Sequence, residues 1–221
     1  MYKTYKVQKA SVKPEIKGLW DGSVWKNVAA LKIDNYMGDE PAHKPDTQAK
    51  LLYDKDFLYV IFKVEDNYIL ATAEKFQDSV CQDSCVEFFF TPSQDINTGY
   101  FNIETNCGGT VLFRHQLARG IGRNPVTEKD FSKMQIFHSE DKIIKPERKT
   151  PTTWIVEYKL PFDFLSKYTE VVMPQTGVEW RANFYKCADA TSKPHWLTWS
   201  VLNRAKPDFH VPDFFGTLEF L

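Results

Sequence analysis

Short apolar runs recur along this chain, and almost none of them has the spacing of an amphipathic helix. Glycine, proline, asparagine and aspartate separate the runs, and these residues end strands and form turns. The pattern predicts about nine to eleven strands with little helix. It indicates an all-β protein, an antiparallel β-sandwich of the jelly-roll kind. No change of composition divides the chain, so we expect one domain over residues 1–221.

The clearest hairpin lies between Gln48 and Asp66, where two apolar runs flank the turn residues Asp54, Lys55 and Asp56. Both faces of the second run are apolar, which predicts a central strand that is covered on both sides. Its two faces consist of Leu58, Val60, Phe62 and Val64 on one side and Tyr59 and Ile61 on the other.

Composition excludes several classes of partner. Lys and Arg total 28 and Asp and Glu total 29, so the net charge is -1 and no basic excess is available for nucleic acid. No apolar run approaches the roughly 18 residues of a membrane span, so we expect no membrane insertion. The start, MYKTYKVQKASVKPEIKG, is lysine-rich and lacks the apolar segment of a signal peptide. As written, the sequence predicts a cytoplasmic protein, or a periplasmic or secreted one if a signal peptide was removed.

Two predicted strands carry a row of polar side chains on one face. Because side chains alternate along a strand, residues two apart share a face. The two rows are Asn102, Glu104 and Asn106 in YFNIETN, and Arg181, Asn183 and Tyr185 in WRANFYKC. Such a face is costly to bury unless each group has a partner. It is therefore the solvated side of an antiparallel sheet, a set of internally paired groups, or the lining of a ligand site.

Aromatic residues make up 15% of the chain, and this abundance suits a sugar ligand. Flat aromatic rings pack against the C–H face of a pyranose, while amide, guanidinium and carboxyl groups bond its hydroxyls. Alternation places Trp154 and Trp180 in the core, and we expect Trp20 and Trp25 to pack there too. Trp196 and Trp199 are three apart and therefore face opposite sides of a strand, so at most one can stack on a ligand.

Glu87 and Glu104 raise the alternative of a glycoside hydrolase, which needs two carboxyls about 5 to 10 Å apart across the sugar. They lie on strands that we expect to form a hairpin, and the register decides whether they are neighbours. A single glutamate within an apolar run more often pairs with an arginine or lysine, which is the structural interpretation of Glu87.

The cysteines and histidines show no metal-site spacing. The four cysteines, Cys81, Cys85, Cys107 and Cys187, are too few for a disulfide scaffold and are predicted to be reduced, half-buried thiols. Cys85 and Cys107 are the best pair for a single disulfide, because they fall on strands expected to be neighbours. His195 and His210 are interpreted as structural or surface residues.

A series of motifs runs through nearly the whole chain, from about Gly18 to Leu221. In order, they are WDGSVWKN, AKLLYDKDFLYVIFKVED, QDSCVEFFFTP, YFNIETNCGGT, WIVEYKLPF, WRANFYKCAD, HWLTWS and FHVPDFFGTLEF. In this order and spacing they resemble family 9-like carbohydrate-binding modules, which belong to the wider group of DOMON-like β-sandwiches. The resemblance implies a non-catalytic protein that binds plant-type polysaccharides such as xylan or cellulose, or their chain ends, in carbohydrate catabolism. It assigns stacking to Trp196 or Trp199. It assigns hydrogen bonding to Glu87, Asn102, Glu104, Asn106, Arg181, Asn183 and Tyr185.

The resemblance also bears on cofactors. Some relatives bind calcium structurally, but no cluster of aspartates in this sequence identifies a calcium site. Other DOMON-like proteins bind haem through methionine, histidine or lysine, and a haem-binding module is the second alternative. With four methionines and no evident pairing with histidine, we expect no cofactor beyond a structural calcium.

Overall fold

The computed structural model describes residues 2–204 and 206–221, and strands dominate it. The all-β prediction is confirmed. No helix among the described residues is long and apolar enough to cross a membrane. The strands of that part of the chain are β1 (Thr4–Lys9), β2 (Leu31–Lys32), β3 (Asn35–Tyr36), β4 (Asp46–Tyr53), β5 (Phe57–Asp66), β6 (Ile69–Ala71), β7 (Cys85–Thr91), β8 (Tyr100–Asn106), β9 (Val111–Gln116), β10 (Asn124–Pro125), β11 (Gln135–His138), β12 (Ile144–Arg148), β13 (Thr152–Pro161), β14 (Glu179–Cys187), β15 (Trp196–Thr198) and β16 (Gly216–Phe220). The helices are α1 (Glu128–Phe131) and α2 (Phe162–Leu165), and 3-10 turns cover Val80–Gln82, Ile96–Thr98 and Pro212–Phe214.

One curled sheet forms both layers, with the strand order β10-β9-β8-β7-β14-β16-β1-β4-β5-β13-β11. Strand β1 joins the layers, because its first residues pair with β16 and Gln8 and Lys9 pair with β4. Both pairings of β1 are parallel, which corrects the prediction of an antiparallel sheet throughout. No hairpin constrains β1 to run against β16, since the two strands lie at opposite ends of the chain. The strand count also exceeds the prediction, because several strands are too short to show an alternating pattern.

The central core lies between the layers, where the inward-facing side chains of both meet. In β5, Leu58, Val60, Phe62 and Val64 face this core, as the alternation predicts. Trp154 and Trp180 are fully buried there, which confirms their assignment. The hairpin between β4 and β5 is also confirmed, with Tyr53 opposite Leu58 at its turn.

The outer face of the β5–β13 layer is covered by residues 16–28. Trp20 and Trp25 pack there on Tyr59 and Ile61, which confirms their packing role. Glu157 on β13 anchors this cover, because its carboxylate accepts hydrogen bonds from the Lys17 amide at 2.9 Å, the Gly18 amide at 2.6 Å and Trp25 Nε1 at 2.9 Å. A fully buried carboxylate is therefore bonded by three donors rather than left unpaired.

The outer face of the other layer is covered by residues 206–215, which we call the covering segment. Its apolar residues Phe209, Val211 and Phe215 pack on a second cluster that includes Phe89 and Tyr185. The polar rows of β8 and β14 lie on this face of the sheet. Except for the half-buried Arg181, these side chains are consequently buried rather than solvated, and each polar group needs a partner.

A charged network is buried near the end of β14. Lys186 is fully buried, and its Nζ lies 2.8 Å from His195 Nε2 and 3.5 Å from Asp66 Oδ2. His43 Nε2 lies 2.7 Å from Asp66 Oδ1. Burial alone would raise the pKa of Asp66, but the charge of Lys186 and the hydrogen bonds to the carboxylate lower it overall. Burial and the charge of Lys186 lower the pKa of His195 to about 3, so its ring is a neutral acceptor.

Replacing Lys186 by methionine tests this network. Asp66 Oδ2 has no hydrogen-bond donor and depends on the ammonium charge, so Lys186→Met leaves a buried carboxylate uncompensated. We expect a loss of about 3–5 kcal/mol in the free energy of unfolding, measured by urea denaturation. The control is Lys3→Met, which breaks the exposed pair with Asp34 and should cost less than about 1 kcal/mol. Equal costs for the two variants would contradict the network's role.

Candidate functional site

The two polar rows predicted from the sequence lie on one outer face of the sheet. In the register of β7 with β8, Glu87 lies directly opposite Glu104. In the register of β7 with β14, Glu87 lies opposite Tyr185. Opposed residues share a face, so the register brings Glu87 and Glu104 together as close neighbours.

A pocket of about 140 Å³ opens over these carboxyls, between the strands and the covering segment. Its lining consists of Cys81, Glu87, Glu104, Arg119, Cys187, Asp189, Trp196, Pro207, Asp208, Phe209 and His210. A larger groove of about 530 Å³ lies elsewhere, beside Lys55 and Met173. That groove contains none of the predicted site residues, so we take the smaller pocket as the candidate site.

Glu104 begins a chain of hydrogen bonds along the pocket floor. Its Oε1 accepts from Asn102 Nδ2 at 2.9 Å, and Asn102 Oδ1 accepts from Gln116 Nε2 at 3.0 Å. The Gln116 amide nitrogen lies 3.1 Å from His210 Nδ1, and the Tyr100 hydroxyl lies 2.9 Å from the same nitrogen. Burial lowers the pKa of His210 to about 4, so its ring is neutral near pH 7. The chain fixes the Glu104 side chain in place.

Both floor carboxyls have raised pKa values. Burial raises the pKa of Glu104 to about 7, against the lowering effects of the Asn102 hydrogen bond and the charge of Arg114. Burial raises the pKa of Glu87 well above its usual range, and the neighbouring Cys187 and Glu104 add to this rise. The Cys187 thiol lies 3.1 Å from Glu87 Oε1 and donates to it. The floor can therefore donate hydrogen bonds as well as accept them.

Trp196 forms one side of the pocket. It is partly exposed, and its Nε1 donates to Asp189 Oδ1 at 2.8 Å. Asp189 also accepts from Gln82 Nε2 at 3.3 Å. With its one polar atom bonded to Asp189, the ring of Trp196 is held in place beside the carboxyls and is suited to stacking.

The other predicted ligand residues lie outside the pocket lining. Trp199 is 3% exposed and packs edge-on against Phe184 in the central core, as the three-residue spacing requires once Trp196 faces the pocket. Asn106 bonds Asp83 and the Thr110 amide. Asn183 bonds the backbone of Ser200. These groups stabilise the loops that flank the sheet.

Tyr185 and Arg181 also have structural partners. The Tyr185 ring stacks on Phe209 at a centroid distance of 4.1 Å, and its hydroxyl donates to the Phe209 carbonyl at 3.1 Å. Arg181 donates to the carbonyls of Phe215 and Gly216. Tyr185 therefore supports the pocket from below, while Arg181 lies at the far end of β14.

One expectation for the reactive side chains needs correction. Glu87 forms no ion pair with arginine or lysine among the described residues, and its hydrogen-bond partner is the Cys187 thiol. All four cysteines are free, as predicted, although only Cys81 is half-buried and the other three are buried; the alternative Cys85–Cys107 disulfide is absent. Cys85 instead pairs in register with Cys187 of β14, while the Cys107 thiol points to the Leu70 carbonyl.

Several lining residues were not recognised as site residues from the sequence because they come from loops. Asp189 lies two residues after β14, and Arg119 lies in the loop after β9. Asp208, Phe209 and His210 belong to the covering segment, which carries no strand pattern. The proline and histidine in KPDFHVPDFFG signal a structured loop, but the face that it covers follows only from the tertiary fold.

Glu104→Gln provides a pH test of the buried carboxyl. The pKa of about 7 in the folded protein lies above the ordinary glutamate value of 4.5, so the folded state holds more protons than the unfolded state between these pH values. Relative to the Glu104→Gln variant, the native protein therefore loses roughly 3 kcal/mol in the free energy of unfolding as the pH rises through this window. Urea denaturation between pH 4.5 and 7.5 should show that the free energy of unfolding of the variant rises relative to that of the native protein. The exposed Glu65→Gln substitution is the control. A variant that loses stability relative to the native protein as the pH rises contradicts this assignment.

Comparison with known proteins places the chain in a family. The family model described as carbohydrate-binding family 9 matches residues 5–220. A Bacteroides uniformis ATCC 8492 protein described as a candidate carbohydrate-binding protein is 27% identical, with a TM-score of 0.88 and 100% coverage of both chains. Two structures of a family 9 module from Caldicellulosiruptor kristjanssonii share the fold at 15% identity. The complex with cellotriose has a TM-score of 0.67, covering 99% of this chain and 93% of that one.

The complex of the Caldicellulosiruptor kristjanssonii module with glucose has a TM-score of 0.66, covering 98% of this chain and 95% of that one. No curated protein matches the sequence. The family model spans nearly the whole chain, and the fold of both family 9 structures agrees with it. This protein belongs to carbohydrate-binding family 9.

Proposed function

We propose that this protein, acting as one domain, binds a plant-type oligosaccharide in the Trp196 pocket without cleaving it. The main support for this proposal is that the partly exposed Trp196 and the buried carboxyls of Glu87 and Glu104 line the same pocket. Sugar recognition needs an aromatic surface and a few fixed polar groups, and this pocket combines them. We expect the ligand to be a cellulose- or xylan-like chain, taken up in carbohydrate catabolism.

Trp196 is the proposed stacking surface. Its hydrogen bond to Asp189 occupies the indole nitrogen, so the ring contributes an apolar face to the ligand. Phe209 and His210 bring further ring surface to the pocket from the covering segment. Strands on one side and this segment on the other confine the site, which favours the end of a sugar chain over its middle.

Glu87 and Glu104 are the proposed partners of the sugar hydroxyls. A hydroxyl both donates and accepts, and a carboxyl near its own pKa can do either. The Asn102 and Gln116 amides hold Glu104 in position, so little side-chain entropy is lost on binding. The Caldicellulosiruptor kristjanssonii modules with cellotriose and glucose support a glucose-configured ligand.

The geometry favours binding over hydrolysis. A glycosidase needs two carboxyls that flank the scissile bond of the sugar. Glu87 and Glu104 are directly opposed on one face of the sheet, so both approach a ligand from the pocket floor rather than from two sides of a bond. Haem ligation is also less favoured, since His195 is buried against Lys186 and His210 Nδ1 is engaged by Tyr100. We expect no release of reducing sugar from xylan or cellulose.

Tryptophan fluorescence and calorimetry test the proposal with cello- and xylo-oligosaccharides and their reduced alditols. We expect saturable binding, and Trp196→Ala should cost about 1–3 kcal/mol of binding free energy because the stacking surface is lost. Binding of the sugars but not of the alditols would indicate a reducing-end site.

Tyr2→Ala is the matched control, because it removes an exposed aromatic ring outside the pocket and should leave binding unchanged. Circular dichroism would confirm that each variant is folded. Binding that survives Trp196→Ala unchanged would remove this pocket from consideration. The absence of binding to any of the sugars would refute the ligand class.

A further inference from the structure

A compact set of metal-binding side chains lies at the pocket floor. The thiols of Cys85 and Cys187 and a carboxylate oxygen of Glu87 all lie within 4.8 Å of one another. The sheet creates this set, because Cys85 and Cys187 are directly opposed in the β7–β14 register and Glu87 is two residues along β7 on the same face. Among the described residues no other group of three such side chains converges as closely.

Packing alone does not account for this set. Glu87 is only 2% exposed, and no lysine, arginine or histidine of the described chain forms an ion pair with it. A buried carboxyl normally has a cation or several strong donors as partners, whereas a thiol is a weak donor. Glu157 shows the usual solution in this same protein, with three N–H donors on its carboxylate. Arg119 lines the same pocket but pairs with Asp208, and among the described residues the bonded partner of Glu87 is the Cys187 thiol.

We propose that Cys85, Glu87 and Cys187 bind one thiophilic divalent cation of the zinc type. Two sulfurs and one carboxylate oxygen suit zinc, whereas calcium and magnesium prefer oxygen alone. Ligand atoms of a tetrahedral zinc site lie about 3.8 Å apart, so the observed spacing needs only small side-chain adjustments. On binding, each thiol and a protonated Glu87 release their protons to solvent, and the cation's two positive charges offset three negative ligands.

The pocket gives the cation a route to this site. Glu87 and Cys187 line the pocket, while Cys85 is fully buried behind them. Three protein ligands leave the fourth position of a tetrahedral ion facing the pocket, for water or a ligand hydroxyl. The site does not depend on the proposed sugar binding, although both use Glu87. Cation and sugar should therefore alter each other's affinity by the same factor.

Cadmium is the direct probe, because cadmium thiolates absorb in the ultraviolet. Reduced protein without sugar should bind one Cd²⁺ per chain with a thiolate charge-transfer band, and Zn²⁺ should displace it. Calorimetry in buffers of different ionisation enthalpy should show proton release. Because the titrations omit sugar, their result is independent of the proposed function.

Variants locate the ion. Cys85→Ser and Cys187→Ser should each weaken Cd²⁺ binding by more than the roughly 10–100-fold loss caused by replacing a residue that only supports a metal ligand. Glu87→Gln should also weaken Cd²⁺ binding, although it keeps both thiols. Cys107→Ser is the matched control, a buried free thiol outside the group, and should keep the band. Circular dichroism checks the fold of each variant.

Three results would overturn the proposal: folded native protein without a band, a band that persists in the Cys85→Ser/Cys187→Ser double variant, or a band lost equally in Cys107→Ser. Glu87→Gln keeps both thiols and the side-chain shape, so it tests the site even if a serine variant unfolds. Unchanged affinity in folded Glu87→Gln would remove the carboxylate from the site and would equally contradict the proposal.

Discussion

Both faces of the sheet are covered, and this double burial is the constraint on which the rest of the structure depends. A sheet with one solvated face can leave its polar side chains to water. Here residues 16–28 cover one outer face and the covering segment covers the other, so outward polar groups must find partners within the protein. Glu157, Asn183 and Asn106 each do so by bonding the backbone or side chains of a neighbouring segment. Glu157 thereby attaches residues 16–28 to the sheet, while Asn183 and Asn106 hold the loops that flank it.

The candidate pocket lies where this covering is incomplete. At Glu87 and Glu104 no backbone segment supplies donors to both carboxyls, and the environment raises their pKa values instead. Lys186 points from the same strand, β14, to the opposite face, where Asp66 and His195 satisfy its charge. Buried ionisable groups therefore serve two purposes in this protein. Inside the sandwich Lys186 and Asp66 are paired with each other, whereas Glu87 and Glu104 at the pocket floor remain able to bond a ligand.

Alternation along the strands made much of this architecture predictable. It correctly assigned the two faces of β5, placed Trp154 and Trp180 in the core, and put the rows of Asn102 and Arg181 on the face opposite Phe101 and Phe184. It also put Trp196 and Trp199 on opposite sides, and the structure places Trp196 at the pocket and Trp199 in the central core. The alternation of side-chain direction along a strand depends only on local chain geometry, and so it can be predicted from the sequence.

Partner choice was not predictable from the same pattern. Whether Glu87 meets Glu104, and Cys85 meets Cys187 rather than Cys107, depends on register and strand order, which tertiary packing sets. The same applies to Asn183 and Tyr185, whose buried roles depend on where the tertiary fold places Ser200 and Phe209. The parallel pairings of β1 arise between the ends of the chain, beyond the reach of any turn signal.

The chemistry of the pocket floor follows from having oxygens and sulfurs together at one site. A sugar hydroxyl needs a carboxyl that can donate or accept, and a soft cation needs deprotonated thiols and a carboxylate. The low polarity that raises the pKa of Cys85 to about 12 and of Glu104 to about 7 favours the neutral forms, which suit the sugar. A divalent cation reverses that preference, because its charge stabilises the anionic forms. The protonation state of the floor therefore links the two proposed ligands, and Glu87 is the residue through which each would act on the other.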